Sequence, residues 1–356
     1  VFRNLVEEAH KRGIKIMLDA VFNHIGYQSA QWQDVLKNGE KSPYKDWFHI
    51  QEFPVTEDKL QNPRQLPYHT FAFASYMPKL NTANPEVRDY LLSVATYWIE
   101  NFDIDAWRLD VANEIDHQFW RDFRKAVLAK KPDLYILGEI WHTSQPWLQG
   151  DEFHAVMNYP LSESIKDYFL RQRKKTEQFI SEINSQSMYY KQQISEVMFN
   201  LLDSHDTERI LTTAKGNIQH VKAALTFLYL QKGTPCIYYG TELALIGGPD
   251  PDCRRVMPWD RVSEDNDMLN FMKKLIQVRK EVASIIQHGN YRLEEVKPDV
   301  LSLKWNYQGK EVQAIFNQSS EKYTLDRDSV DLASHCQFED GQQVILPDGF
   351  VITVSK

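Results

Sequence analysis

Ionisable side chains stand at the ends of apolar, strand-like runs of the sequence, where they could do chemistry. In "DIDAWRLDVANE" (103–114) Arg108 precedes Asp110 by two residues, and Glu139 follows the run "LYILG". Side chains two positions apart on a strand point to the same face of a sheet. Because buried charges are rarely left unpaired, the Arg108 guanidinium is predicted to keep the Asp110 carboxylate ionised.

Other strand-like runs also end in an aspartate, a histidine or both. These residues are Asp19, His24, His205 and Asp206. Two or three carboxylates with an arginine and two histidines, without a metal-type cluster, favour chemistry on a glycosidic bond. Retaining hydrolysis needs an ionised carboxylate as nucleophile and a protonated carboxyl group as acid, roughly 5–5.5 Å apart. A partly apolar setting keeps a carboxyl group protonated, and the run before Glu139 predicts such a setting.

The elements that must position these residues alternate between helix-like and strand-like segments. Residues 1–13 have helical periodicity, "IKIMLDA" (14–20) is an apolar strand, and the alternation continues through six strands. Apolar strands separated by helices predict a parallel sheet covered by helices. Ionisable residues at the carboxyl ends of such strands are typical of a (β/α)8 TIM barrel. Six strands do not close an eight-stranded barrel, so we expect the first two βα units upstream of Val1.

The predicted organisation is an α/β domain followed by a small β domain. The catalytic barrel occupies residues 1–286, from its third strand on, with an inserted loop subdomain at about 25–80 that lacks clear periodicity. From 287 to 356, short β-like segments alternate with Gly, Pro and Asp turns. This second pattern predicts a C-terminal antiparallel β-sandwich.

Composition argues against several other classes of protein. The net charge is −8, and no basic stripe is visible, which argues against nucleic acid as a partner. No apolar run approaches the length of a membrane span, so no membrane partner is expected. The three cysteines are far apart and odd in number, which indicates neither a zinc site nor a disulfide framework. They favour a reducing compartment, and we expect a cytoplasmic protein.

Four blocks resemble the signature blocks of the α-amylase family of retaining glycoside hydrolases, in the family's order. They are "DAVFNH" (19–24), "AWRLDVANE" (106–114), "GEIW" (138–141) and "LLDSHD" (201–206). "MPKLN" (77–81) is similar to a fifth block of the cyclomaltodextrinase, neopullulanase and maltogenic amylase subgroup. The resemblance implies a double-displacement glycosidase that cleaves α-1,4-glucosidic bonds in cyclodextrins, pullulan and maltooligosaccharides, with transglycosylation as a further activity.

The resemblance also implies a role for each matching polar residue. Asp110 is the expected nucleophile, Glu139 is the expected general acid/base, and Asp206 is expected to be a third carboxylate that binds sugar hydroxyl groups. The expected substrate-binding residues are Arg108, His24, His205, Glu114, Trp141, and Asp250 and Arg254 of the loop "DPDCR" (250–254). Asp19 and Asn23 are expected to have structural roles beside the site.

Cofactors and partners follow from the same resemblance. Asn23 matches a calcium-ligand position of some α-amylases, but no cluster of carboxylates accompanies it, so we expect no required cofactor and no metal site; calcium is unsupported here. The expected partners are oligosaccharides, namely cyclodextrin, maltodextrin and pullulan. The subgroup usually carries an extra N-terminal domain that pairs protomers, which implies a homodimer for the full-length protein.

Three alternatives stay open at this point. The first is another specificity of the same family, such as α-amylase or oligo-1,6-glucosidase. The second is a non-catalytic amylase-like binding subunit, a class that typically lacks the carboxylates that this sequence retains. The third is a metal-dependent barrel hydrolase, which would need histidines at several strand ends, including an H-x-H pair that the visible strands lack.

Overall fold

A computed structural model describes residues 1–55, 66–325 and 330–355. The chain forms two compact units: Val1–Ile140 with Ser144–Val156, and Trp141–Thr143 with Met157–Lys356. The domain boundary predicted between residues 286 and 287 and the inserted subdomain at about 25–80 stay predictions. Residues 56–65 of that subdomain lie outside the described residues.

The helices and strands of the described residues have the following bounds. The helices are α1 Phe2–Lys11, α2 Ala30–Asn38, α3 Pro85–Phe102, α4 His117–Lys130, α5 Tyr159–Ile165, α6 Thr176–Ser187, α7 Gln192–Ser195, α8 Ile210–Thr213, α9 Ile218–Tyr229, α10 Asp267–Glu281 and α11 Ala283–His288. The strands are β1 Met17–Ala20, β2 Ala106–Leu109, β3 Tyr135–Gly138, β4 Ala155–Val156, β5 Phe199–Asn200, β6 Thr234–Pro235, β7 Asn290–Lys297, β8 Val300–Tyr307, β9 Lys310–Asn317, β10 Tyr323–Leu325, β11 Leu332–Glu339 and β12 Gln342–Val354.

The first unit is built on a parallel sheet in the order β1-β2-β3-β4. The parallel pairing confirms the prediction from the apolar strand runs, and all four residues of β2 are buried. The register pairs Asp19 of β1 with Arg108 of β2, and Arg108 with Leu137 of β3. This pairing brings the carboxyl ends of the strands, with their ionisable residues, to one edge of the sheet.

Helix α3 leads the chain into β2. The Asn84 side chain caps its start by accepting a hydrogen bond from the Glu86 backbone N–H, and Pro85 occupies its first turn, where the missing N–H is not needed. The buried positions recur every fourth residue and form one apolar stripe: Val87, Leu91, Ala95 and Ile99. The helix ends at Phe102, and the left-handed backbone of the next residue, Asp103 (φ 57°), turns the chain toward the strand.

The second unit contains β5 and β6, which are parallel, and an antiparallel sheet. Its strands run in the order β10-β12-β9-β8-β7, with β11 also paired to β12. An antiparallel β-sandwich was predicted from the short strands and turns; its antiparallel sheet is confirmed, and its packing as a sandwich stays a prediction. The helical structure of residues 159–195 is broken into several pieces, and Gln172 in one of the breaks has a left-handed backbone (φ 51°).

Within the described ranges, none of the helices combines the length and the apolar character that crossing a membrane requires.

Candidate active site

Arg108 lies at the centre of a group of charged side chains in the first unit. It is 8% exposed and lies in β2. Nη1 donates hydrogen bonds to Asp19 Oδ1 at 2.8 Å and to Asp110 Oδ1 at 2.8 Å. Nη2 forms an ion pair with Glu139 Oε1 at 2.8 Å. One guanidinium therefore holds carboxylates that follow or end three neighbouring strands.

The environment of Asp110 sets its charge state. Burial is the largest influence and raises the pKa of Asp110 to about 6; Arg108 lowers it, and the charge of Glu139 raises it. Arg108 acts in the predicted direction, but burial outweighs it, so the pKa lies above the ordinary aspartate value. With a pKa of about 6, Asp110 is still mostly ionised at neutral pH.

The pKa of Asp110 predicts the pH below which the rate of catalysis should fall, which is the acidic limb of a pH–rate profile. If Asp110 must be unprotonated to react, kcat/KM should rise roughly tenfold per pH unit below about 6 and level off above it. The measurement is kcat/KM of the full-length protein across the acidic range, on a chromogenic maltooligosaccharide as the expected class of substrate. Replacing Arg108 by Gln should move the limb to higher pH, because the influence that lowers the pKa is removed. A limb near 3.8, the ordinary aspartate value, would contradict this reading.

Glu139 is held rigidly beside this group. It is 5% exposed and follows the last residue of β3. Its Oε2 accepts a hydrogen bond from the backbone N–H of Val111 at 3.0 Å, and its Oε1 faces Arg108. The residue after Asp110 therefore positions the second carboxyl group, which couples the two candidate catalytic residues through one short loop.

A second group in the first unit surrounds His24. The imidazole ring stacks on Phe71, with ring centroids 4.9 Å apart and planes 7° from parallel. Burial is the main influence and lowers the pKa of His24, so the ring is neutral at neutral pH. The Asn23 amide lies next to it and contacts Glu114, with Nδ2 at 3.3 Å from Glu114 Oε2. Lys79, in the centre of "MPKLN", bonds to both Asn23 and Glu114.

The residues around Asn23 do not fit a divalent cation. Asn23 Oδ1, the atom that a calcium ion would use, accepts a hydrogen bond from the Lys79 ammonium group. A positive charge already lies among the oxygens at this position. Among the residues that the structure describes, no group of three or more His, Cys, Asp or Glu side chains could hold a metal ion.

A third group lies in the second unit and contains the remaining charged candidates. His205 Nε2 lies 3.1 Å from Asp206 Oδ2. Arg254 reaches Asp206 Oδ1 with Nη2 at 3.3 Å and Asp250 Oδ1 with Nε at 2.7 Å. The Arg254 Nε also donates to the backbone carbonyl of His205 at 3.0 Å. The structure thus gathers all four predicted residues of the blocks "LLDSHD" and "DPDCR" into one network.

Two buried charged residues of the second unit, Asp203 and Arg209, were not predicted to have a role. Asp203 accepts hydrogen bonds from the Thr241 hydroxyl at 2.9 Å and from the Ile210 backbone N–H at 3.2 Å, and burial raises its pKa to about 6. Arg209 is fully buried and donates to the Cys253 carbonyl at 2.8 Å. Asp203 stands in the quoted block "LLDSHD", which is the only sequence signal that could have found it.

Trp141 is one of the residues predicted to bind substrate. It is 47% exposed, and its indole stacks on the ring of Tyr159 with centroids 3.8 Å apart and planes 7° from parallel. Tyr159 is buried and its hydroxyl lies 3.3 Å from Ser204 Oγ. The buried Tyr159 therefore fixes the plane of an exposed aromatic ring, which is the geometry of a sugar-stacking surface.

Comparison with known proteins identifies the family. Residues 1–323 match the protein family described as "Alpha amylase, catalytic domain". The chain belongs to the α-amylase family. The family's fold and the antiparallel C-terminal sheet are therefore both present in this chain. The α-amylase signature predicted from the sequence blocks is confirmed.

Individual members of the α-amylase family match most of the chain. It is 52% identical over 322 residues to the intracellular maltogenic amylase of Bacillus subtilis, a match that covers 90% of this chain and 53% of that protein. It is 46% identical over 327 residues to neopullulanase 2 of Thermoactinomyces vulgaris, covering 91% and 55%. A solved cyclomaltodextrinase structure superimposes with a TM-score of 0.89 and 42% identity, covering 100% of this chain and 62% of that one. The chain spans about half the length of the curated relatives it matches.

Proposed function

We propose that the protein is a retaining glycoside hydrolase that cleaves α-1,4-glucosidic bonds. The observation that carries this proposal is the Arg108 guanidinium, which lies 2.8 Å from both the Asp110 and the Glu139 carboxylates. Two carboxyl groups held together on one face of a buried sheet edge are what double displacement at a sugar carbon requires.

In the proposed first step, Asp110 attacks the anomeric carbon while Glu139 protonates the departing glycosidic oxygen. The bond to the leaving sugar breaks and a covalent glycosyl ester forms on Asp110. In the second step, Glu139 takes a proton from water, whose oxygen attacks the same carbon and releases Asp110. A sugar hydroxyl in place of water gives transglycosylation.

The remaining roles are assigned from the family blocks and from the surroundings of each residue. Asp206 is the third carboxylate that binds sugar hydroxyl groups, and its contact with Arg254 keeps it oriented. Asp19 and Asn23 hold their neighbours in place. The proposed substrate-binding residues are Arg108, His24, His205, Asp250, Arg254, Glu114 and Trp141.

The relatives' names support the substrate class. They are a maltogenic amylase, a neopullulanase and a cyclomaltodextrinase. We infer that cyclodextrins, pullulan and maltooligosaccharides are the substrates of this protein. We also infer that no cofactor is required, because Lys79 already supplies a positive charge beside Asn23.

The finer architecture and setting are also proposals. The parallel order β1-β2-β3-β4 and the parallel pair β5-β6 support a (β/α)8 barrel, and the location of its other strands stays a prediction. A cytoplasmic location is supported by the name of the intracellular maltogenic amylase. The homodimer rests on the subgroup resemblance alone.

A product profile of the full-length enzyme tests the proposed function. β-Cyclodextrin and maltooligosaccharides should yield mainly maltose and glucose, pullulan should yield panose, and cyclodextrin should be cleaved at least as fast as soluble starch. Dextran, with α-1,6 links in its main chain, is the control substrate and should be left intact. Release of glucose from α-1,6-linked oligosaccharides alone would instead indicate an oligo-1,6-glucosidase, and binding without turnover would indicate a non-catalytic subunit.

A further inference from the structure

Lys79 joins three separate segments of the first unit through its ammonium group. It donates to Asn23 Oδ1 after β1, to the Glu114 backbone carbonyl at 2.9 Å and to Glu114 Oε2 at 3.4 Å. The Lys79 side chain is only 21% exposed, so its charge is largely withdrawn from water. The backbone of Lys79 also pairs with that of His24 in an antiparallel bridge. A partly buried cation with this many oxygen partners constrains the groups around it.

The first group that it constrains is the Asn23 amide. An ammonium group donates hydrogen bonds and cannot accept them, so it selects the oxygen of the amide and not the nitrogen. With Oδ1 turned to Lys79, Nδ2 lies 3.3 Å from Glu114 Oε2 and 3.4 Å from His24 Nδ1. The Glu114 carboxylate accepts from both Lys79 and Asn23, which fixes the amide orientation a second time.

The orientation of Asn23 decides the tautomer of His24. An amide nitrogen only donates, so His24 Nδ1 must accept its hydrogen bond. A neutral imidazole that accepts at Nδ1 carries its proton on Nε2. The Phe71 ring, stacked on the imidazole, fixes the ring plane. His24 thus presents an N–H donor from Nε2.

We propose that Lys79 is a positioning residue that, through the Asn23 amide, fixes His24 as the tautomer with its proton on Nε2. The consequence for catalysis rests on the proposed function, in which His24 donates a hydrogen bond to the sugar. With the other tautomer, the outward nitrogen of His24 is an acceptor and repels the sugar oxygen that it should bind.

Three substitutions separate this role from simple support of the fold. Lys79→Met removes the charge and should lower kcat/KM roughly 10- to 100-fold, the usual effect of losing a partner that orients a functional group. Lys79→Arg keeps a donor-only cation and should recover part of that loss. Asn23→Asp keeps a partner for Lys79 but offers an acceptor to His24 Nδ1, so it should reverse the tautomer and lower kcat despite a stronger ion pair.

Lys131→Met is the matched control for the loss of a partly buried lysine. Lys131 is 16% exposed and bonds to Asp103 and Asp105 at 2.7 and 2.9 Å in the same unit. Its replacement should lower the melting temperature about as much as Lys79→Met does, with kcat/KM unchanged.

The readout that does not depend on activity is the 15N NMR spectrum of the histidine rings in the full chain at mildly alkaline pH. The His24 signals are assigned by their loss in His24→Gln. Wild type and Lys79→Arg should show a proton on Nε2, Lys79→Met a mixture of tautomers, and Asn23→Asp a proton on Nδ1.

The outcomes of the two readouts are distinct. A His24 tautomer that is the same in wild type, Lys79→Met and Asn23→Asp overturns the proposed role of Lys79, even if the wild type hydrolyses α-glucans. The expected tautomer pattern in a wild type without hydrolytic activity supports the role of Lys79 and overturns the proposed function.

Discussion

Replacing Asp110 by Asn should lower kcat on maltooligosaccharides and cyclodextrin by about 10^4-fold or more, the scale on which loss of a nucleophile acts. The amide has nearly the same size and can still accept a hydrogen bond from Arg108 Nη1, which lies 2.8 Å from Asp110 Oδ1. It lacks the negative charge that attacks the anomeric carbon and forms the glycosyl ester. KM should change little, because the rest of the substrate contacts are intact.

Asp151→Asn is the control for this substitution. Asp151 also pairs with an arginine, at 2.7 Å from Arg121 Nε, but it lies on the exposed surface of the same unit. Its loss should leave kcat within about twofold and stability within about 1 kcal/mol, as for other exposed ion pairs. The melting temperature of Asp110→Asn should be at or above that of wild type, because a buried charge is removed. Full turnover by a folded Asp110→Asn protein would refute the nucleophile assignment.

Replacing Glu139 by Gln should lower kcat on natural substrates by roughly 10^2- to 10^4-fold, the contribution of a general acid. The loss should depend on the leaving group. A maltosyl fluoride needs no proton from the enzyme to depart, so its first step should retain most of its rate. Added azide should then accelerate the second step and give a glycosyl azide of retained α configuration, because azide attacks without the help of a general base.

Glu152→Gln is the matched control, since Glu152 is also buried and paired with an arginine, at 3.2 Å from Arg121 Nη2. It should respond to azide no differently from wild type. If Glu139→Gln lost equal activity on maltosyl fluoride and on maltotriose, or produced no glycosyl azide, Glu139 would not be the acid/base.

The sequence was sufficient to predict the parallel strands and the pairing of Arg108 with Asp110. Both depend on short-range regularities: uninterrupted apolar runs bury both faces of a sheet, and a period of two places Arg108 and Asp110 on one face. The contact between Arg108 and Glu139 was not predicted. It depends on the alignment of β2 with β3, which short-range periodicity does not determine.

The raised pKa of Asp110 and the contacts of Lys79 were not predictable for a related reason. The pKa of Asp110 is raised because burial outweighs a neighbouring guanidinium, and the depth of burial is a property of the folded sheet. The partners of Lys79 lie 56 and 35 residues away, at Asn23 and Glu114. From the sequence alone, a lysine in a loop is expected to be exposed to solvent. Its contacts become evident only when the fold brings these distant segments beside it.

The attachment of one guanidinium to several strand ends also determines which parts of the chain can be remodelled. A slip of one residue between β1 and β2, or between β2 and β3, would turn the slipped strand's side chains to the opposite face and separate Arg108 from its carboxylates. Outside Asn23, His24, Lys79, Val111 and Glu114, the connections between the strands carry no such condition, and their lengths can change as long as pairing is kept. Designed changes of substrate preference therefore belong in those connections. The register of the three strands must be kept unchanged.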